Sequence, residues 1–115
     1  MFLFISGNRP KQYTKQELKY ACQWFAKHLI SKTIRDKICV DIILSNKLVK
    51  EDKCYGLCSP EDFAYRHKFF TIHIDSTISK RMMLRTICHE LVHVSQYAKA
   101  RLKNTRNWDK VKWEG

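Results

Sequence analysis

Glycine, proline and long apolar runs are all scarce in this chain. Its 115 residues include three glycines and two prolines, which excludes collagen-like, low-complexity and linker-dominated proteins. No stretch approaches the roughly 18 consecutive apolar residues of a membrane span. The apolar start, residues 1–5, is shorter than the h-region of about 7–15 residues that a secretory signal requires. We therefore expect a cytoplasmic protein without a membrane partner.

The cysteines do not suggest a disulfide framework. There are five of them, an odd number, and no secretory signal precedes them, so we expect reduced thiols. Hydrophobic residues make up 44% of the chain and aromatic residues 12%, a composition typical of a folded globular protein. The length predicts a single domain spanning residues 1–115.

Negative charge is also in short supply. The chain contains 11 Asp and Glu residues and 22 Lys and Arg residues, which gives a formal net charge of +11. This balance favours a polyanionic partner such as nucleic acid. Cations alternate with Trp108 and Trp113 near the end of the chain, a pattern suited to phosphate contacts and base stacking. The candidate nucleic-acid contacts are Lys99, Arg101, Lys103 and Arg106; in the alternative, both tryptophans fold back on the core and the cations only solvate it.

Hydrophobic periodicity predicts an α+β domain. Thr14 and Glu17 have the spacing of a helix capping box, and apolar residues then recur at helical intervals to about residue 31. Two segments alternate as half-buried strands, residues 38–44 and 69–75. Residues 2–5 are read as a short strand or a docking segment, and residues 46–60 as a turn or ragged hairpin. The predicted order is an N-terminal helix, a small sheet of about three strands, and a long helix from Ser79 to about residue 102.

The long helix contains the one motif that carries chemistry, His89-Glu90-Leu91-Val92-His93, or HExxH. Residues i and i+4 of a helix share a face, so two imidazoles there can reach one Zn²⁺ at about 2.0–2.1 Å. Glu90 leaves the helix about 100° from His89. That direction suits a general base better than a ligand. The motif therefore predicts zinc on His89 and His93, with Glu90 removing a proton from the water that attacks a carbonyl.

A helical wheel predicts that this face points away from the core. At about 100° per residue, one arc is apolar and should pack inward, and the opposite arc contains the motif together with Thr86 and Tyr97, either of which would stabilise an oxyanion. The inward arc holds Leu84, Ile87, Leu91, Val94, Ala98 and Leu102; the outward arc holds Met82, Thr86, His89, Glu90, His93 and Tyr97.

Two segments resemble a known family. Phe69-Phe-Thr-Ile-His-Ile-Asp75 and Leu84-Arg-Thr-Ile-Cys-His-Glu-Leu-Val-His-Val-Ser-Gln-Tyr97 resemble the SprT-like zinc metallopeptidases of the zincin type, including small phage-encoded members. The resemblance covers residues 65–96 well. It implies a minimal zincin-like fold and peptide hydrolysis, with the substrate lying along residues 69–75 as the edge strand. Cellular members act on proteins attached to DNA, which implies such substrates here.

The third zinc ligand that such families supply is not evident. No histidine follows His93, and the downstream carboxylates are Asp109 and Glu114, the latter 21 residues after His93. His73 is an upstream candidate on the predicted strand. In the remaining alternatives, water replaces the ligand, or the ligand lies beyond residue 115 and the chain is truncated.

Two rival interpretations stay open. Cys54, Cys58 and His67 could form a second, structural zinc site, although two cysteines at that spacing are more often plain loop thiols. The whole chain could instead be a basic nucleic-acid-binding module with a vestigial or non-catalytic metal site.

Overall fold

A computed structural model describes residues 1–52, 54–60 and 68–99, and in it the chain forms a four-stranded mixed sheet. The strands are β1 (Phe2–Gly7), β2 (Cys39–Ser45), β3 (Gly56–Pro60) and β4 (Phe69–Asp75), in the spatial order β1-β2-β4-β3. β1, β2 and β4 are mutually parallel, whereas β3 runs antiparallel to β4.

The helices are α1 (Lys15–Leu29), the short α2 (Lys32–Arg35) and α3 (Lys80–Ala98), with a π-helical turn at Leu48–Asp52. The predicted capping box starts α1: the Glu17 N–H donates to Thr14 Oγ1, and the Thr14 N–H donates to Glu17 Oε1, both at 3.0 Å. Ser79 caps α3 by accepting the Met82 N–H at 3.2 Å.

The helices cover one face of the sheet. α1 and α3 pack side by side, and α3 lies against β3 and β4. Alternate side chains of the central strands fill the core below them, and large apolar residues of the helices meet them there. The fully buried members include Val40, Ile42, Phe70, Ile72, Ile87, Leu91 and Val94. The opposite face of the sheet carries the exposed Phe2, Phe4, Leu57 and Phe69.

The α+β class is confirmed, and four details of the prediction change. The strand β1 precedes the first helix, and the sheet has four strands rather than about three. The segment 46–60, predicted as a turn or ragged hairpin, contains the π-helical turn and β3. Residues 69–75 are a strand as predicted, but not the edge strand, because β4 is bonded to β2 on one side and β3 on the other.

None of the five cysteines, all of which lie in the described part of the chain, forms a disulfide. Within residues 1–52, 54–60 and 68–99, no helix has the length and hydropathy needed to span a membrane.

Candidate metal centre

One turn of α3 brings together the three polar residues of the HExxH motif. One ligand atom from each of His89, Glu90 and His93 lies within 4.8 Å of the other two. The two imidazole rings are 5.1 Å apart between centroids, inclined at 64°. Ligands held at 2.0–2.1 Å in a tetrahedron are about 3.4 Å apart, so small side-chain rotations suffice to close the group. The three residues can hold a metal ion.

Glu90 is the most deeply buried member of this group. It is 5% exposed, and its Oε2 has no hydrogen-bond partner among the residues that the structure describes. Burial raises the pKa of its carboxyl to about 7. A buried carboxyl oxygen without a partner is energetically costly, and such atoms point to a missing ligand or to a catalytic role.

Both histidines are biased towards the neutral imidazole. Burial, helped by the positive charge of Arg85, lowers the pKa of His89. Burial and the neighbouring His89 ring lower the pKa of His93. Because the neutral imidazole is the form that coordinates metals, this environment favours ligand binding near neutral pH.

The strand β3 forms the wall above Glu90, a feature that the sequence interpretation missed. Cys58 lies opposite Ile72 in the β3–β4 ladder and packs against the core beneath the sheet. Burial, and then the charge of Glu90, raise the pKa of its thiol. Cys58 is therefore a neutral thiol next to the motif, not a loop cysteine. In the sequence, only the alternation of Gly56, Leu57 and Cys58 could have indicated a strand at this position, and that pattern is short.

The wheel prediction for α3 was partly wrong. Ile87, Leu91, Val94 and Ala98 are buried as expected, but Leu84 is only half-buried. Thr86 and Glu90, assigned to the outward arc, are both buried. The reason is that α3 contacts α1 on one side and the strands β3 and β4 on the other.

Thr86 and Tyr97 occupy different surroundings. Thr86 is 7% exposed and lies under β3. Tyr97 is half-buried with its ring 6.4 Å from that of Phe70. Tyr97 is therefore the more accessible of the two candidates for oxyanion stabilisation.

His73 does not lie on the face of the sheet that carries the motif. Its neighbours in β4, Ile72 and Ile74, are fully buried towards the helices, and successive side chains of a strand point to opposite faces. Its cross-strand partner is Leu57, an exposed residue. His73 is thus excluded as the third ligand, and the prediction that it could fill that role was wrong.

Other predicted residues fall at the end of α3 or outside the described part of the chain. Lys99 is half-buried at the C-cap of α3, where its N–H donates to the Ser95 carbonyl at 3.1 Å. Among the described residues, Cys54 and Cys58 belong to no group of three or more potential metal ligands. The predicted residues outside the described ranges are His67, Arg101, Leu102, Lys103, Arg106, Trp108, Asp109, Trp113 and Glu114.

Comparisons of the chain with known protein families, with curated proteins and with solved structures find no match.

Proposed function

We propose that this chain is a zinc-dependent metallopeptidase that hydrolyses peptide bonds, with proteins associated with DNA among its substrates. The observation that carries the proposal is the group formed by His89, Glu90 and His93, with donor atoms within 4.8 Å and a buried Glu90 oxygen that has no partner among the described residues. The resemblance of residues 65–96 to SprT-like metallopeptidases supports it, and so does the net charge of +11 for the DNA association.

Zinc is proposed from the donor set. Two neutral imidazoles at i and i+4 on one helix are a pattern typical of zinc hydrolases. In such a site Zn²⁺ polarises the peptide carbonyl and lowers the pKa of the attacking water. His89 and His93 would be the ligands, and Asp109, Glu114, water or a residue beyond position 115 would complete the set.

Glu90 is the general base in this proposal. Its pKa of about 7 in the metal-free protein is matched to proton transfer at neutral pH. The carboxylate accepts a proton from the attacking water and returns it to the nitrogen of the leaving amine. The same burial that raises the pKa also excludes bulk water from the carboxylate.

The edge strand β3 supports a peptide substrate. Its one ladder in the described chain is with β4, and an extended peptide can add to the other side of such an edge through main-chain hydrogen bonds. Because β3 is the wall above Glu90, a peptide lying there passes the motif. A cytoplasmic location belongs to the same proposal, since five cysteines without a disulfide suit a reducing compartment.

The first experiment tests the metal. The full chain, stripped with chelator and dialysed against zinc, should retain about one zinc per molecule by elemental analysis, as a single site on His89 and His93 predicts. His89→Ala and His93→Ala should lose it. His28→Ala is the matched control, because His28 is an exposed histidine on α1 and should leave the zinc content unchanged. A folded wild-type chain without zinc would overturn the proposal.

The second experiment separates the base from the ligands. Glu90→Gln should keep zinc but lower the hydrolysis of an unfolded protein substrate, assayed with and without DNA, by about 10²–10⁴-fold. Loss of zinc from this variant would make Glu90 a ligand and contradict its role as base. Full activity would show that hydrolysis arises elsewhere.

A further inference from the structure

A groove between α1 and α3 has no role in the metal site. It is an open cavity of about 410 Å³, lined by Glu17, Tyr20, Ala21, Trp24 and Phe25 on α1 and by Lys80 and Leu84 on α3. Tyr20 and Trp24, one helical turn apart, are 64% and 58% exposed. Two large aromatic side chains with this exposure on one surface are unusual for a helix whose other face is packed.

The indole of Trp24 is held in place by its neighbours. His28 stacks on it at 4.1 Å between ring centroids, with an angle of 24° between the planes. Phe25 meets it edge-on at 5.3 Å. The ring is thus oriented before any ligand arrives, which lowers the entropy cost of binding.

The two charged side chains that line the groove, Lys80 and Glu17, form an ion pair, and most other charges on the two helices are positive. α1 and α3 together contain six Lys and Arg against two Glu. Of these two, Glu90 is buried under β3, and Glu17 is paired with Lys80 and with the Thr14 N–H. Neither carboxylate presents an uncompensated negative charge to the groove.

A second open cavity borders the same helix near its start. It measures about 830 Å³ and is lined by three cations, Arg9, Lys11 and Lys15. At a rise of about 1.5 Å per residue, Lys15 is within about 14 Å of Trp24 along α1. Nine residues also correspond to about two and a half helical turns, so Lys15 and Trp24 lie on different sides of α1, and a strand that spans both cavities would cross the helix obliquely.

We infer that α1 and its groove with α3 bind single-stranded nucleic acid, with bases stacked on Tyr20 and Trp24 and phosphates held by Arg9, Lys11 and Lys15. The exposed rings offer π-faces to bases that are not already stacked in a duplex. The cations match the repeated negative charge of the backbone. This site differs from the predicted contacts after Ala98, and it does not depend on the proposed peptidase.

The test is a titration of a labelled single-stranded oligonucleotide with the full chain. Tyr20→Ala and Trp24→Ala should each weaken binding about 5- to 150-fold, the range for loss of one stacked base. Phe4→Ala is the matched control, because Phe4 is 59% exposed on the opposite face of the sheet, and its affinity should equal that of the wild type. Equal affinity of all four proteins, or no binding at low salt, would overturn the inference.

Phosphate contacts are tested through the salt dependence. Lys11→Ala should reduce the slope of log K against log salt by about 0.7, the value for one contact to a single strand. Lys37→Ala removes the same charge from an exposed position before β2 and should not change the slope. Identical slopes for both variants would contradict the assignment of the cationic cavity.

Further measurements test for other ligands and for loss of folding in the alanine variants. Stronger binding of a duplex than of the single strand, or Trp24-dependent binding of phosphatidylserine vesicles in its place, would overturn the inference.

In a Trp108→Phe/Trp113→Phe background the oligonucleotide should quench the emission of Trp24, a readout that needs no destabilising change in the groove. Glu90→Gln and chelated protein should bind the oligonucleotide normally, which separates this test from that of the metal site.

Discussion

Gly56 on β3 packs directly against Thr86 on α3. A Cβ at position 56 would lie 2.6 Å from Thr86 Cγ2, 3.0 Å from the His73 carbonyl oxygen and 3.5 Å from Glu90 Cγ. Such a close approach of strand and helix requires a residue without a side chain. The contact sets the height of β3 above the motif.

We expect Gly56→Ala to destabilise the fold by about 1–3 kcal/mol, the usual cost of overpacking. The threonine methyl cannot easily rotate away, because a β-branched side chain in a helix has few χ1 options. Thr86→Ser removes that methyl and should recover part of the loss in the double variant. Urea unfolding of the two single variants and the double variant measures the coupling energy between positions 56 and 86. Strictly additive losses of unfolding free energy would show that the contact with the Thr86 methyl does not cause the destabilisation.

Glu90 should reduce the stability of the metal-free protein at alkaline pH. The pKa of the carboxyl is 4.5 in the unfolded chain and about 7 in the folded protein. Between these pH values the folded state therefore binds more protons than the unfolded state. Its contribution to stability is present below about pH 4.5 and is lost as the pH rises through about 7.

Glu90→Gln should therefore stabilise chelator-treated protein by about 3 kcal/mol near pH 8 and by almost nothing near pH 4. The two histidines are common to both proteins, so the difference isolates the carboxyl. Unfolding free energies at the two pH values provide the measurement, and an equal difference at both would contradict the burial effect.

Asp75 should be a structural carboxylate at the end of β4. Its Oδ1 accepts the Thr77 N–H at 2.7 Å, and its Oδ2 accepts the Val49 N–H at 2.9 Å. Burial opposes ionisation, but bonds from the Thr77 hydroxyl and from the Val49 and Thr77 amides hold the pKa of this carboxyl below its usual value. Its stabilising effect is thus present above the pKa of the unfolded chain and is lost as the pH falls through the folded value.

Asp75→Asn should lower the unfolding free energy by about 3 kcal/mol at neutral pH, because an amide NH₂ would face a backbone donor. Asp41→Asn, on the half-buried opposite face of β2, is the control and should have little effect. The loss of stability caused by Asp75→Asn should be smaller at acidic pH, where the wild-type carboxyl is protonated. Thermal melts of the variant and the wild type at neutral and acidic pH test this.

His73→Ala should leave zinc affinity unchanged. The side chain lies on the face of the sheet opposite to α3, so it cannot reach His89 or His93. A competition titration with a chromophoric chelator compares this variant with the wild type and with His93→Ala, which should lose binding. Weaker zinc binding by His73→Ala would require a different strand orientation.

Local patterns predicted local features well. Thr14 and Glu17 form the expected capping box, and the alternation in residues 69–75 matches β4, because both depend on contacts between near neighbours. The HExxH face is also local, since one helical turn fixes it. Strand order is different: β3 is short and contains glycine and proline, so its pairing with β4 is not encoded in a repeating pattern. The burial of Thr86 and Glu90 follows from that pairing, and it was missed for the same reason.

The strand order has a consequence for how the protein folds. Phe2 pairs with Cys39 and Cys39 with Phe69, so parallel partners are separated by 37 and 30 residues of chain. Such distant pairings fold more slowly than the contacts of a helical bundle. α3, which carries both histidines, lies against β3 and β4, so its packing depends on the pairing of these strands. The helical turn alone sets the spacing of His89 and His93, whereas the burial of Glu90 beside them depends on β3 and β4, and so on strands that must first pair across the chain.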